Sequence, residues 1–370
     1  MPYSPRFTTT PAITRSLLAI ERARTAVDLL PIPLGVEKRL RREARVRVAH
    51  NSTWIENRTL TLDEARRVIE DKAQRDASRS GSQAAAELRN YWAALEFIDR
   101  HPAASGAAIT EQAIRELHAV IYRGTRGPGR PPSATPYRSR NIQVGNFEYL
   151  PPEAKDVPRL MREFVSWLQG AERELPGPVL AAVAAYQFVT IHPFEDGNGR
   201  TCRAVATLIL KRTGYGLKGL ASVESFYARD LPRYYASLQM GLHPNYYEAN
   251  ARGSRSDPDL TPWVEYFLDT FSQAATELRE VLERESRPEA RAVEAYPLPF
   301  RQLLGEMPDL QGIFTPNDVA AWFGVTPKTA RHWLSQWLEQ GLVEPTKPDT
   351  QRVRAYRIPR RVLEDLGEAP

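Results

Sequence analysis

The sequence predicts a mainly α-helical protein with one small β-hairpin and a C-terminal helix–turn–helix–wing module. Three observations carry this. Caps and prolines punctuate helix after helix, only one short stretch before residue 290 alternates like a strand, and the pattern changes after Ser286–Pro288. The length of 370 residues suits two or three domains. Fifty Lys and Arg against 45 Asp and Glu give a net charge of +5, too mild an excess for bulk polyelectrolyte binding. At 42% hydrophobic and 26% charged residues, the composition is that of a folded globular chain. One cysteine, Cys202, excludes a disulfide framework and any cysteine-based zinc or iron–sulfur site. Residues 1–24 hold no apolar run long enough for a signal or a membrane span, so a soluble, cytoplasmic protein without membrane contact is expected.

The elements follow in order. Thr10–Pro11 reads as an N-cap and first-turn proline for a helix that ends at Leu30, before Pro31. A second helix runs from about Gly35 through Asn57, and Thr61 with Glu64 forms a capping box for a third. Ala84–Asp99 and a helix capped by Thr110 come next. Residues 124–136 are rich in Gly, Pro and Arg and read as loop. Tyr137–Leu150, with Ile142 and Val144 before Gly145–Asn146 and Phe147 and Tyr149 after it, reads as the hairpin. Asp156–Leu168 is helical, and Pro178–Ile191 is apolar on nearly every side, the mark of a central buried helix. A helix over Pro262–Glu285 precedes the module at residues 295–360.

The chemistry concentrates in Ile191-His192-Pro193-Phe194-Glu195-Asp196-Gly197-Asn198-Gly199-Arg200-Thr201-Cys202-Arg203. Pro193 disfavours helical geometry at His192, so the buried helix ends there and presents an imidazole at the mouth of a loop. Neutral imidazole suits the abstraction of a hydroxyl proton near pH 7. Asp196 offers a hard oxygen ligand for Mg²⁺ beside phosphates. Gly197 and Gly199 let successive N–H groups face one anion, and the next helix begins there with free donors. Arg200 and Arg203, three apart, share a helical face in the first turn. A base, a metal carboxylate, an anion nest and two guanidinium groups within twelve residues describe a nucleotide polyphosphate site.

This segment agrees at every specified position with H-x-F-x-[D/E]-G-N-G-R-x-x-R, and the chain resembles the Fic (Fido) family over roughly residues 1–250. The resemblance implies a Fic/Fido helical core with a small β-hairpin flap; apart from it, the helix–turn–helix–wing pattern of residues 295–360 looks like a C-terminal winged-helix domain. The resemblance also implies transfer of AMP from ATP to a Tyr, Ser or Thr hydroxyl of a protein, the chain itself included. His192 would be the general base, Phe194 the loop's anchor in the core and Asp196 the Mg²⁺ ligand. Gly197, Asn198, Gly199 and Thr201 would line the phosphate site, with Arg200 and Arg203 holding the β and γ positions. Arg138–Pro152 resembles the flap that holds the target segment by strand addition, with Val144, Gly145 and Asn146 near the nucleotide. Tyr234–Tyr235 resembles the tyrosine pair lining the adenosine pocket, or is simply a half-buried helix pair. Ser52-x-x-x-Glu56-Asn57 resembles the family's inhibitory helix motif, in which Glu56 would pair with Arg203 in place of the γ-phosphate and Ser52 would cap or orient the helix.

The expected domains are 1–105, a helical region with the inhibitory helix; 106–255, the catalytic core; 256–294, a helical linker; and 295–370, the winged helix. No G-x-x-x-x-G-K-[ST], H-R-D, D-F-G or H-E-x-x-H occurs. His50, His101, His118, His243 and His332 read as caps or surface residues, and Cys202 as packing. Gly199 argues against a Doc-like kinase, which carries Lys in place of the second loop glycine. UMP or phosphocholine transfer, removal of AMP, and a DNA-binding regulator stay open as alternatives. Residues 295–370 hold nine basic and nine acidic residues, which disfavours generic duplex binding. Yet Arg352, Arg354, Arg357, Arg360 and Arg361 gather at the expected wing and Lys328 and Arg331 on the recognition helix, so DNA contact competes with a protein-docking role. Pairing into a homodimer is a further expectation from relatives of this layout.

Overall fold

The computed structural model describes residues 3–32, 34–70, 82–123, 133–145, 149–243, 258–286, 296–307, 309–346 and 354–366. Part of the 124–136 loop, Asn146 and Phe147 of the flap, and Arg352 of the wing lie outside the described residues. The chain divides into two units, one of residues 1–28 and 43–278, the other of 29–42 and 279–370.

The helices near the N-terminus are α1 (Pro11–Leu29), α2 (Leu34–Asn57), α3 (Leu62–Glu70), α4 (Gln83–Arg100) and α5 (Glu111–Ile121). Side-chain caps fix their starts where the sequence places them. The Thr10 hydroxyl accepts the Ile13 N–H at 3.2 Å and Thr110 that of Ala113 at 3.1 Å. Thr61 and Glu64 exchange bonds of 3.3 and 2.8 Å, satisfying two first-turn donors of α3 reciprocally. After the flap come α6 (Val157–Ala171), α7 (Gly177–Ile191) and α8 (Asn198–Arg212). The short α9 (Glu224–Arg229) and α10 (Leu231–Gln239) and the long α11 (Thr261–Glu285) complete this part.

Helix α7 is the hub. All its residues but Val189 are buried, and it packs against α6 and α8. A helix apolar all round has no face to give to water, so it must be enclosed by its neighbours. Phe164 of α6 packs against Phe188 of α7 with tilted rings 6.4 Å apart, and the Trp263 indole N–H donates to the Ala182 carbonyl at 2.7 Å. Helices α4 and α5 close over α8 from the other side.

The expected hairpin is smaller than its sequence suggests. Val144 and Tyr149 form an antiparallel bridge, with bonds of 3.0 and 3.2 Å, and residues 141–143 are not strand. An isolated two-stranded ribbon is marginal in water, so the segment is held by side chains instead. Asn141 Oδ1 accepts the Ala154 N–H at 2.8 Å, and the Tyr149 hydroxyl donates to the Thr190 carbonyl.

In the second unit, α12 (Leu298–Glu306), α13 (Pro316–Phe323) and α14 (Pro327–Glu339) precede an antiparallel pair, β1 (Glu344–Pro345) and β2 (Tyr356–Arg357). Phe314 adds a bridge to Tyr356, with bonds of 3.0 and 2.8 Å. The unit has its own core around Phe300, Leu303, Phe314, Leu334, Trp337 and Val362. One expectation needs correction here. Arg360 and Arg361 do not sit on the wing; they open a further helix, α15 (Arg360–Asp365). Arg357 pairs with Glu344 and Arg360 with Glu364, which reduces the free positive charge.

Candidate active site

His192 is the left-handed cap of α7, with φ 52° and ψ 60°. Pro193 stops the helix there as the sequence requires, but the residue turns left-handed rather than extended, a costly conformation for a non-glycine residue. Two bonds from Arg138 hold it. The Arg138 guanidinium donates from Nε to the His192 carbonyl at 2.8 Å, and its backbone N–H donates to the Pro193 carbonyl at 2.9 Å. Arg138 is 3% exposed and also donates to the carbonyls of Arg140 and Pro152, so one buried side chain ties the flap's base to the loop. The His192 ring places Nδ1 3.1 Å from the Val189 carbonyl, which can only accept, so the proton sits on Nδ1 and Nε2 keeps its lone pair. Burial pushes the imidazole pKa down to about 4, against the raising effect of the Val189 carbonyl and assisted by the charge of Arg138.

Phe194 is fully buried and stacks on His118, with ring centres 3.8 Å apart. Asn198 closes the loop on itself: its Oδ1 accepts the Phe194 N–H at 2.9 Å and its amide donates to the Phe194 carbonyl at 2.8 Å. His118 donates from Nε2 to the Asp196 carbonyl at 2.9 Å and accepts the Thr135 hydroxyl at Nδ1, also at 2.9 Å. The expectation that His118 is a cap or surface residue is therefore wrong. It is 1% exposed and braces the loop from below. His101 does cap, accepting the Ala103 N–H at 3.1 Å, whereas His50 is buried. Cys202 packs in the core as expected, its thiol toward the Ala185 carbonyl.

Gly197 takes φ +74° at the start of α8, and a Cβ there would stand 3.2 Å from His118 Nε2. Both the backbone angle and the imidazole beneath require glycine. The N–H groups of Asn198, Gly199 and Arg200 that follow have no intrahelical acceptor, and donors so placed at a helix N-terminus suit an anion. Thr201 departs from the expected role, since its hydroxyl donates back to the Gly197 carbonyl at 2.9 Å. Asp196 is exposed; its Oδ1 accepts the Gly197 N–H at 2.6 Å and its Oδ2 the Tyr122 hydroxyl at 3.0 Å.

A carboxylate of the chain itself lies against the first turn of α8. Glu56 Oε1 accepts from Arg203 Nη2 at 2.8 Å, and a Cβ built on Gly199 would come within 2.4 Å of that same oxygen. Ser52 supports the contact: its hydroxyl accepts from Arg203 Nε at 2.8 Å and its carbonyl from Nη2 at 2.7 Å. Three hydrogen bonds thereby tie Arg203 to α2. The expected phosphate arginines part company, because Arg200 pairs instead with Glu87 of α4 at 3.3 Å.

The remaining candidates lie around this centre. Val144 carries the flap's bridge and Gly145 its turn, while Arg140 pairs with Glu195 at 3.2 Å. Tyr234 is buried and stacks on Tyr227 at 4.6 Å. Tyr235 is 48% exposed, and its hydroxyl donates to the Ile55 carbonyl of α2 at 3.3 Å. Sequence reasoning missed His118, Arg138 and Glu87, each of which acts on the site from a distant segment.

A family model described as Fic/DOC matches residues 108–210, the span that holds α5, the flap, α7 and the loop. The chain carries a Fic/DOC domain. The protein adenylyltransferase Fic of Aedes aegypti is 33% identical over 179 residues, covering 48% of this chain and 34% of that protein. That of Nematostella vectensis is 32% identical over 190 residues, covering 50% and 43%. This chain thus matches less than half the length of these curated relatives. A Fic family protein from Desulfovibrio desulfuricans G20 is similar over 97% of this chain and 99% of its own, at 27% identity and a TM-score of 0.58. Fic-1 of C. elegans (residues 134–508) shares the fold over 74% of each chain, with 21% identity and a TM-score of 0.57. The mainly α Fic core is the architecture of the first unit, with α7, the loop and α8 at its centre.

Proposed function

We propose that this Fic/DOC protein transfers AMP from ATP to a hydroxyl side chain of a protein, and that Glu56 holds it in check. The observation that carries the reading is the Glu56 carboxylate against Arg203 and Gly199, at a helix N-terminus built for anions. A site that a protein fills with its own carboxylate is a site for a competing anion.

In the proposed reaction the acceptor hydroxyl gives its proton to His192 Nε2, the nitrogen left unprotonated by the Val189 contact. Its oxygen bonds to the α-phosphorus in line with the departing bridging oxygen, and pyrophosphate leaves. The first-turn N–H groups of α8, with Arg200 and Arg203, neutralise the leaving group. The bridged flap offers Val144 and Gly145 as an edge for a target segment in extended conformation.

The donor set fits Mg²⁺ as a companion of the nucleotide. Asp196 is an exposed carboxylate at the start of α8, and no cluster of three metal-ligating side chains occurs among the described residues. Mg²⁺ is commonly held by one or two carboxylates plus substrate phosphates. Bound there, it would neutralise phosphate charge, with Asp196 as its protein ligand.

ATP labelled separately at the α and γ positions tests the proposal with wild type and Glu56→Gly. Label from the α position, stronger in Glu56→Gly than in wild type, is expected. Label from the γ position would mean phosphoryl transfer, and no label from either would remove the reading. Equal incorporation by both proteins would remove the restraining role of Glu56.

A further inference from the structure

The two arginines of the loop are treated differently by the rest of the chain. Arg203 donates three hydrogen bonds to α2, whereas Arg200 meets one carboxylate at ion-pair distance. Arg200 is 4% exposed, and its Nη1 stands 3.3 Å from Glu87 Oε2, with both side chains buried. Yet Nε and Nη1 of Arg200 make no hydrogen bond among the described residues. Buried donors without acceptors are costly, and a buried ion pair without full hydrogen bonding adds little to stability. For packing alone, two apolar side chains would serve as well. A guanidinium kept charged, buried and short of acceptors is one arranged for oxygens that arrive from elsewhere.

Glu87 is itself shared. Its Oε1 accepts from Gln83 Nε2 at 3.0 Å, and its Oε2 accepts from Asn57 Nδ2 as well as facing Arg200. Asn57 is the last residue of α2 and follows Glu56 directly. The segment that lays Glu56 on Arg203 therefore also lays an amide on the carboxylate that faces Arg200.

We infer that Glu87 is a positioning residue that aims Arg200 at the phosphates beyond the α-phosphate, and that Asn57 draws on the same carboxylate while residues 52–57 are docked. This rests on the nucleotide reading above. When the segment withdraws, Asn57 leaves Oε2 and that oxygen serves Arg200 alone, so both arginines become available for the polyphosphate together.

Calorimetric titration of ATP, ADP and AMP into Glu56→Gly, with and without Glu87→Gln, tests this. In the double variant, affinity for ATP and ADP is expected to fall by about tenfold or more, a loss of about 1.4 kcal/mol or more. Affinity for AMP, which has no β-phosphate, is expected to stay the same. Equal weakening for all three ligands would mean a merely structural role and overturn the inference, as would unchanged ATP affinity. If Glu56→Gly itself binds no ATP, the nucleotide reading fails and the inference fails with it. Glu87→Asp, which keeps the charge but shortens its reach, is expected to show the same ligand pattern in smaller measure and serves if Glu87→Gln does not fold. Asn57→Ala with Glu56 intact is expected to raise AMP incorporation severalfold; no rise would overturn the shared-carboxylate part.

Discussion

At the scale of single residues, the site depends on one imidazole kept neutral. Burial lowers the His192 pKa to about 4, so Nε2 is available as a base throughout the neutral range. In Glu56→Gly, kcat/KM is expected to stay level from pH 8 down to about 5 and to fall only nearer 4. A decline that begins near 6.5 would show an ordinary imidazole instead. His192→Ala is expected to lower incorporation by about 10²–10⁴-fold, the usual contribution of general base catalysis. Stability follows the same sign. Burial also lowers His118 to about 4, so the folded state keeps both rings neutral while the unfolded chain takes up protons below about 6.5. The melting temperature is expected to hold above pH 7 and to drop between about 6.5 and 4. His118→Asn is expected to flatten that slope. The motif from His192 to Arg203 was legible because its parts are local: a proline that stops a helix, glycines that turn, and arginines one turn apart. His118, Arg138 and Glu87 were not. Each reaches the loop across 54 residues or more of chain, and nothing near them in sequence marks that contact.

At the scale of elements, the site is as firm as the junction of α7 and α8. Gly177, the first residue of α7, faces the end of α8; a Cβ there would meet Thr213 Oγ1 at 2.2 Å and Tyr215 Cδ2 at 2.8 Å. Gly177→Ala forces these apart, and a cost of about 1–3 kcal/mol is expected for such overpacking. A fall in melting temperature of several degrees by calorimetry would check it; an unchanged value would mean that the junction yields freely. The long helices were readable because caps, prolines and apolar periodicity agree with one another. The flap was not, because alternation alone cannot say whether a strand finds a partner. Among the described residues the Val144–Tyr149 bridge, the Arg138 anchor and the Tyr149–Thr190 contact hold the segment.

At the scale of the whole molecule, two units with separate cores share the chain. In the second, Lys328 and Arg331 lie on the exposed face of α14, while Arg357 and Arg360 are already paired with acids. With no net charge over residues 295–370, a mobility-shift assay is expected to show no duplex binding at physiological salt. A shift that vanishes as salt rises would assign DNA contact to this unit. The first unit contains both the Glu56 carboxylate and the guanidinium it meets. Plug and socket therefore close as a first-order event, at an effective concentration set by the chain and not by how much protein is present. Under the proposed reading, dilution would leave the silent fraction unchanged, whereas an inhibitor supplied by another molecule would wash away.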